Sequence, residues 1–337
     1  MGAMNEPLWR GSSSNIYQFE PGKVLKVPRE VPSTNDGYEI LNRDRAKGFD
    51  VEREIYEELG ENDLILPYYG CHELEGYRGL LFAQADSNLQ EYLEEGFTKA
   101  TMPERKRWCR QAADAIAYIH DRGIIHSDLR PENFLIHGQD IWLSDFNGSV
   151  CEERGLDGGQ LPDAGFWNLE WETTRATDIF ALGSVLYAIV TGWWPFCKPG
   201  AMNGLDRKDA SSYDEQVAER FKNGKFPDVS SLSGGHIIMG CWTGQYDSAA
   251  DVKRDCDNTY AGSSFVPVGT AKFIPITKTQ EQTFRDPLRP NQDGTTQYNE
   301  ENDTIWRDMA NQCELQVKCL MSAHQDAFLI GAGKGAV

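Results

Sequence analysis

Apolar positions along the chain repeat at two different spacings, and the change from one to the other divides the sequence. Residues 8–27 (LWRGSSSNIYQFEPGKVLKV) set short apolar runs between turn signals and predict strand, turn, strand, Pro-Gly turn, strand. Val31–Tyr38 is a loop by composition. Asn42–Leu59 places Phe49, Glu52, Ile55, Tyr56 and Leu59 at three- and four-residue spacings and predicts a helix. Tyr68–Glu73 and Gly79–Ala83 predict two more strands, for a sheet of about five. From there the pattern turns helical. Leu89–Glu95 is a short helix and Gly96–Ala100 a loop. Trp108, Ala112, Ala115, Ile116 and Ile119 form one stripe along Glu104–Asp121, opened by Thr101, Pro103 and Glu104 and closed by Gly123. Ile179–Phe196 is apolar all round, but its Gly, its Trp-Trp-Pro end and the lack of a basic flank predict a buried core helix rather than a membrane span. Ser212–Asn223 and His236–Trp242 are further helices. In the tail, Asp286–Thr304 reads as loose polar chain and Ile305–Met321 as one amphipathic helix.

Between these elements lies a stretch rich in chemistry. In Ile124–Ile136 (IIHSDLRPENFLI), two apolar runs bracket His126, Asp128, Arg130, Glu132 and Asn133, with Pro131 stiffening the centre. The apolar run Ile141-Trp142-Leu143 then delivers Asp145. Three oxygen-bearing side chains can converge there on one site.

These residues resemble the catalytic loop H-R-D-L-K-P-E-N and the D-F-G of the eukaryotic protein kinase superfamily. Val24-Leu25-Lys26-Val27 resembles its V-A-I-K strand, and Asp178–Phe196 its central buried helix, whose Asp ties down the catalytic loop. The pattern H-S-D-L-R-P-E-N-F-L-I with D-I-F-A-L-G-S resembles the divergent kinase-like proteins of filamentous fungi. The resemblance implies an α+β, two-lobed protein-kinase-like fold: a small N-terminal sheet lobe with its αC helix at about 8–85, and a large, mainly helical C-terminal lobe at about 86–258. Residues 259–337 are then a tail of unknown function, partly disordered. It implies ATP and Mg²⁺ as cofactors. Asp128 would accept the substrate hydroxyl proton, and Asn133 and Asp145 would hold the metal. Lys26 would meet the phosphates, with Glu52 as its helix partner; Glu54 is the alternative, about 200° away around the helix. Arg130 replaces the family's Lys near the transferred phosphate. Gly11 and Ser14 belong to a phosphate loop whose glycines would fall at 9, 11 and 14, where this chain has Trp9, Gly11 and Ser14. Leu81 would be the gatekeeper and Phe82–Ala85 the adenine hinge, including Ala83.

Several positions depart from the family pattern. Asn147 follows Asp145-Phe146 in place of Gly, and as a residue tolerant of left-handed backbone it predicts a mild change. No Ala-Pro-Glu closes the Glu152–Glu172 activation segment, and Gly240–Val252 lacks the Arg that would pair with its Glu, Arg254 being the nearest candidate. Ser127 replaces the Arg that pairs with activation-segment phosphate. Phosphorylation at Ser149, Thr173 or Thr174 is therefore expected to gain little, with only Arg154 and Arg175 nearby as cations.

Composition narrows the partners. The 337 residues carry a net charge of −19, which argues against a nucleic-acid surface. The eight cysteines have no C-x-x-C spacing, and the first residues show no secretory signal, so a reduced compartment, cytoplasmic or nuclear, is expected. The expected partners are ATP and a protein substrate, with no nucleic acid and no membrane. The leading expectation is Ser/Thr-directed phosphoryl transfer. The alternatives are a pseudokinase that binds partners, with or without ATP, and transfers no phosphoryl group, and a small-molecule phosphotransferase with a similar loop.

Overall fold

Alternating residues in short runs build the first layer. A computed structural model describes residues 6–30, 36–96, 100–159, 162–168, 173–197 and 207–260. The chain divides into two units, Met1–Phe265 and Val266–Val337, and every described residue belongs to the first. The tail segments Asp286–Thr304 and Ile305–Met321 lie outside the described residues, as do 31–35 and parts of 96–100 and 152–172.

The small lobe comprises β1 (Trp9–Arg10), β2 (Ser14–Glu20), β3 (Lys23–Pro28), α1 (Asp36–Leu59), β4 (Tyr68–Leu74) and β5 (Tyr77–Ala83). Its five strands pair antiparallel in the order β1-β2-β3-β5-β4. Gly22, at φ 81°, supplies the left-handed residue that the Pro21-Gly22 turn between β2 and β3 requires. Helix α1 starts at Asp36, ahead of the expected Asn42. Asp36 and Gly37, which composition assigns to a loop, open the helix instead. Val51, Glu52, Ile55, Tyr56 and Leu59 form its buried face.

The large lobe follows with β6 (Ser87–Asn88), α2 (Leu89–Gly96), α3 (Met102–Asp121), β7 (Ile124–Ile125), β8 (Phe134–His137), β9 (Asp140–Leu143), β10 (Val150–Cys151), β11 (Leu156–Asp157), α4 (Arg175–Thr191), α5 (Arg207–Lys222), α6 (Gly235–Trp242) and α7 (Ala249–Tyr260). The strands form two three-stranded sheets, β6-β8-β9 and β11-β10-β7. Thr101 and Glu104 make a reciprocal capping box at the start of α3: the Thr101 N–H donates to Glu104 Oε2 at 2.7 Å, and the Glu104 N–H to Thr101 Oγ1 at 3.4 Å.

Helix α4 is buried at every position from Thr177 to Thr191 and is the axis of this lobe. Among the described residues no helix is long and apolar enough to cross a membrane. Helix α6 crosses α4 at Gly183, where an added Cβ would lie 2.7 Å from that of Cys241, and Trp242 Nε1 donates to Ser184 Oγ at 2.9 Å. Helix α7 was not expected. It packs on α3 through Val252, Cys256 and Tyr260, buried four residues apart, and runs past the expected domain end at 258.

One apolar core runs through both lobes, and a small separate cluster of Leu25, Val27 and Leu81 lies on the sheet face opposite Lys26.

Candidate active site

The site is assembled where β3, α1, the β7–β8 loop and the segment after β9 meet. Lys26 is the cleft-facing residue of β3, and Glu52 and Tyr56 stand one turn apart on the buried face of α1. Lys26 Nζ lies 2.7 Å from Glu52 Oε2 and 2.6 Å from Asp145 Oδ1. Glu54 instead lies beside Arg53, at 3.2 Å. Burial works against the Lys26 charge, but Asp145 and then Glu52 outweigh it and hold the ammonium above its usual range. Burial pushes Glu52 up to about 7 against the pull of Lys26. It would raise Asp145 as well, but Lys26 beside it keeps that carboxyl below its usual value.

Phe146, fully buried, stacks edge-on against Tyr56 at 5.1 Å and packs on the His126 ring at 5.0 Å. The His126 N–H donates to Asp178 Oδ2 at 2.7 Å, and the Ser127 N–H to Asp178 Oδ1 at 3.0 Å. A column of rings thus joins α1 to α4. Burial keeps the His126 pKa low, and its Nε2 sits 2.9 Å from the Ser144 carbonyl, so the neutral ring donates there.

Asp128 is buried beside Asn133, whose Nδ2 donates to the Asp128 carbonyl at 2.6 Å and to its Oδ2 at 3.3 Å. The Asn133 amide oxygen is left as the atom for a hard cation, together with the second carboxylate oxygen of Asp145, which keeps 32% of its side chain open. Arg130 Nε lies 3.9 Å from Asp128 Oδ2, and its Nη1 donates to Asp163 Oδ2 at 2.6 Å. Burial pushes Asp128 up to about 7; Arg130 opposes this, and Asp145 and Asp163 add to it.

Other expected positions fall differently. Leu81 pairs with Leu25 on the sheet face away from Lys26, while Phe82 pairs with Val24 on the cleft side and packs on Tyr56 and Tyr68. The register is one residue later than read, and Phe82 stands where Leu81 was expected. In the hinge, the Ala83 N–H goes to the Pro67 carbonyl at 3.0 Å and the Gln84 N–H to Gly22 at 2.8 Å. The Ala85 N–H is the donor these bonds leave over.

Gly11 spends its N–H on the Ser14 carbonyl at 2.8 Å, and Ser14 is buried where β2 pairs with β3. The Trp9 ring lies over Gly11, and a Cβ there would meet it at 2.4 Å. Trp9 is exposed and its ring can swing aside, so this contact alone does not require glycine. Left-handed backbone falls at Ser127 (φ 68°) and Asp145 (φ 65°), not at Asn147. Asn147 is no mild replacement, since its Nδ2 donates to Ser13 Oγ at 3.0 Å and links the phosphate loop to the start of the activation segment.

The protein kinase domain family matches residues 38–245, well over half of the chain. The chain belongs to the protein kinase family. Among its kinase relatives, it is 33% identical over 121 residues to calcium/calmodulin-dependent protein kinase type 1 of Caenorhabditis elegans, covering 34% of this chain and 32% of that protein. It is 26% identical over 212 residues to an Aurora kinase of Yarrowia lipolytica, covering 61% and 56%. Against serine/threonine-protein kinase PKH3 of Eremothecium gossypii the identity is 26% over 209 residues, covering 57% and 28%. The chain spans about a third of the length of the calcium/calmodulin-dependent kinases that it matches.

Sequence reasoning missed Asp163, Tyr56 and the partner of Asn147. The Tyr56 signal was present: four residues after Glu52 on a helix, it has to share that face. Asp163 reaches Arg130 from a segment without any periodic pattern, and nothing local predicts the contact.

Proposed function

We propose that the chain is an ATP- and Mg²⁺-dependent protein kinase that transfers the γ-phosphoryl group to Ser/Thr hydroxyls of protein substrates. The observation that carries this reading is the bridge of Lys26 to both Glu52 and Asp145. It couples strand, helix and cation-binding carboxylate in one arrangement, with the Asp128–Asn133 pair beside it. Bound Mg²⁺ would neutralise charge on the phosphates. Asn133 and Asp145 would hold it, Asp128 would orient the substrate hydroxyl and accept its proton, and Arg130 would face the transferred group. Lys26 would fix the α- and β-phosphates. The Ala85 N–H would take adenine.

A second reading, a pseudokinase, is favoured by the occupation of Arg130 by Asp163 and of Ser13 by Asn147. Single-turnover transfer from radiolabelled ATP to a generic basic protein separates the two. Transfer that Asp128→Asn slows about 10²–10⁴-fold while ATP binding persists supports the kinase. ATP binding without transfer supports the pseudokinase.

A further inference from the structure

A groove of about 880 Å³ lies behind the phosphate loop, between the outer face of β2 and β3 and the first half of α1. Arg10, Arg29, Arg45 and Arg78 line it, against two carboxylates, Glu30 and Asp50. Asp50 faces Arg53 on its own helix, at 3.9 Å. Among the described residues no carboxylate stands within salt-bridge distance of any of the four arginines. On a chain of net charge −19, four arginines against two carboxylates are a local excess of positive charge.

Assembling guanidiniums in this way costs Coulomb energy, which an anion would recover. Burial and then the charge of Arg29 hold the Arg45 guanidinium below its usual range. Both side chains are anchored and only partly spent. Arg29 Nη1 donates to the Gly11 carbonyl at 2.9 Å; Arg45 donates to the Arg29 carbonyl at 3.0 Å and to the Ser12 carbonyl at 2.6 Å. Each guanidinium has five N–H donors, so several remain in two planar forks of the kind that match tetrahedral oxyanions. Tyr17, Phe49 and Tyr77 add aromatic wall, and the groove is much larger than a bare ion.

We propose that this groove binds a phosphomonoester dianion carried on an organic body, gripped by Arg29 and Arg45 and flanked by Arg10 and Arg78. A dianion is a stronger acceptor than a neutral carbonyl. Its binding therefore draws Arg29 and Arg45 away from Gly11 and Ser12, and the phosphate loop is released from behind. The site is separate from the cleft and does not depend on phosphoryl transfer.

The test is calorimetric titration of the full chain with phenyl phosphate, and with a short phosphoserine peptide beside its unphosphorylated form. The expected result is saturable binding that falls with ionic strength and weakens at least tenfold in Arg45→Met and Arg29→Met. Arg10→Met and Arg78→Met should weaken it severalfold and serve if the Arg29 and Arg45 variants do not fold. Asp128→Asn, which alters the cleft and touches neither wall of the groove, should leave the affinity unchanged. Tighter binding of the phosphopeptide assigns the site to a phosphorylated protein; tighter binding of phenyl phosphate assigns it to a small phosphomonoester. The proposal is overturned if neither ligand saturates, if the arginine variants bind as the parent does, or if Asp128→Asn abolishes binding. A catalytically inert chain passes the same test, so the kinase reading stands or falls separately.

Discussion

Ser127 carries two costs at one position. Its backbone is left-handed (φ 68°), and its hydroxyl is buried without a hydrogen-bond partner. Strained backbone costs about 1–3 kcal/mol, and a buried unsatisfied hydroxyl about as much. The Asp178 carboxylate, which accepts the N–H groups of Ser127 and His126, holds the strain in place. Ser127→Gly removes both costs at the expense of some unfolded-state entropy, so it should stabilise the chain by about 1 kcal/mol. The expected readout is a higher urea midpoint at unchanged slope; a lower midpoint would mean that the hydroxyl has a partner. Asp163 sets up a second experiment. As a like charge near Asp128 it raises that carboxyl, so Asp163→Asn should lower the Asp128 pKa from about 7. The acid limb of the single-turnover pH–rate profile then moves to lower pH. A limb that stays in place removes Asp163 from the electrostatics of the base.

Among the elements, the activation segment departs furthest from expectation. Ser149 is fully buried, with its Oγ donating to the His126 carbonyl at 3.0 Å, and Thr174 caps α4 by accepting the Ala176 N–H at 3.2 Å. Phosphorylation at either would break a structural bond. Arg154 pairs with Glu58 of α1, and Arg254, the candidate partner of a missing Glu, pairs with Asp251 on its own helix. Gly158 packs so closely on Asn147 that a Cβ would come within 2.1 Å of its carbonyl oxygen, which keeps the β10–β11 hairpin against the site. Asn147→Gly deletes the bond to Ser13 and frees the phosphate loop. One hydrogen bond of about 1 kcal/mol predicts a roughly fivefold faster nucleotide on-rate by stopped flow; an unchanged rate means that the loop does not gate entry. Elements with a strong local signal were legible in advance: the capping box of α3, the buried stripe of α1 and the apolar length of α4. The gatekeeper was misread because Leu80-Leu81-Phe82-Ala83 is apolar without alternation, so nothing fixes which side chain faces the cleft. Helix α7 was missed because its four buried residues are spaced among charges.

At the scale of the whole molecule, the two lobes are joined through groups that resist ionisation. Asp128 and Glu52 are both buried, and both are pushed up to about 7. The unfolded chain releases these protons near pH 4, whereas the folded chain keeps them until about pH 7. Between those limits the folded state binds more protons than the unfolded one, so stability falls as pH rises. Asp145, held low by Lys26, works in the opposite direction: its contribution is present above the unfolded value and is lost only as pH falls through the depressed one. It therefore does not offset the loss between pH 5 and pH 7. The proposed base has to be ionised to accept a proton, so activity should climb over the same interval in which stability declines. Urea midpoints should drop from pH 5 to pH 7.5 with a slope of at most about 1.4 kcal/mol per pH unit for each group. Asp128→Asn, which cannot titrate, should flatten that slope while abolishing the rise in rate. If its midpoints follow the parent's across the range, Asp128 is not one of the groups that hold a proton in the folded state. The raised base would then have to be sought elsewhere in the cleft.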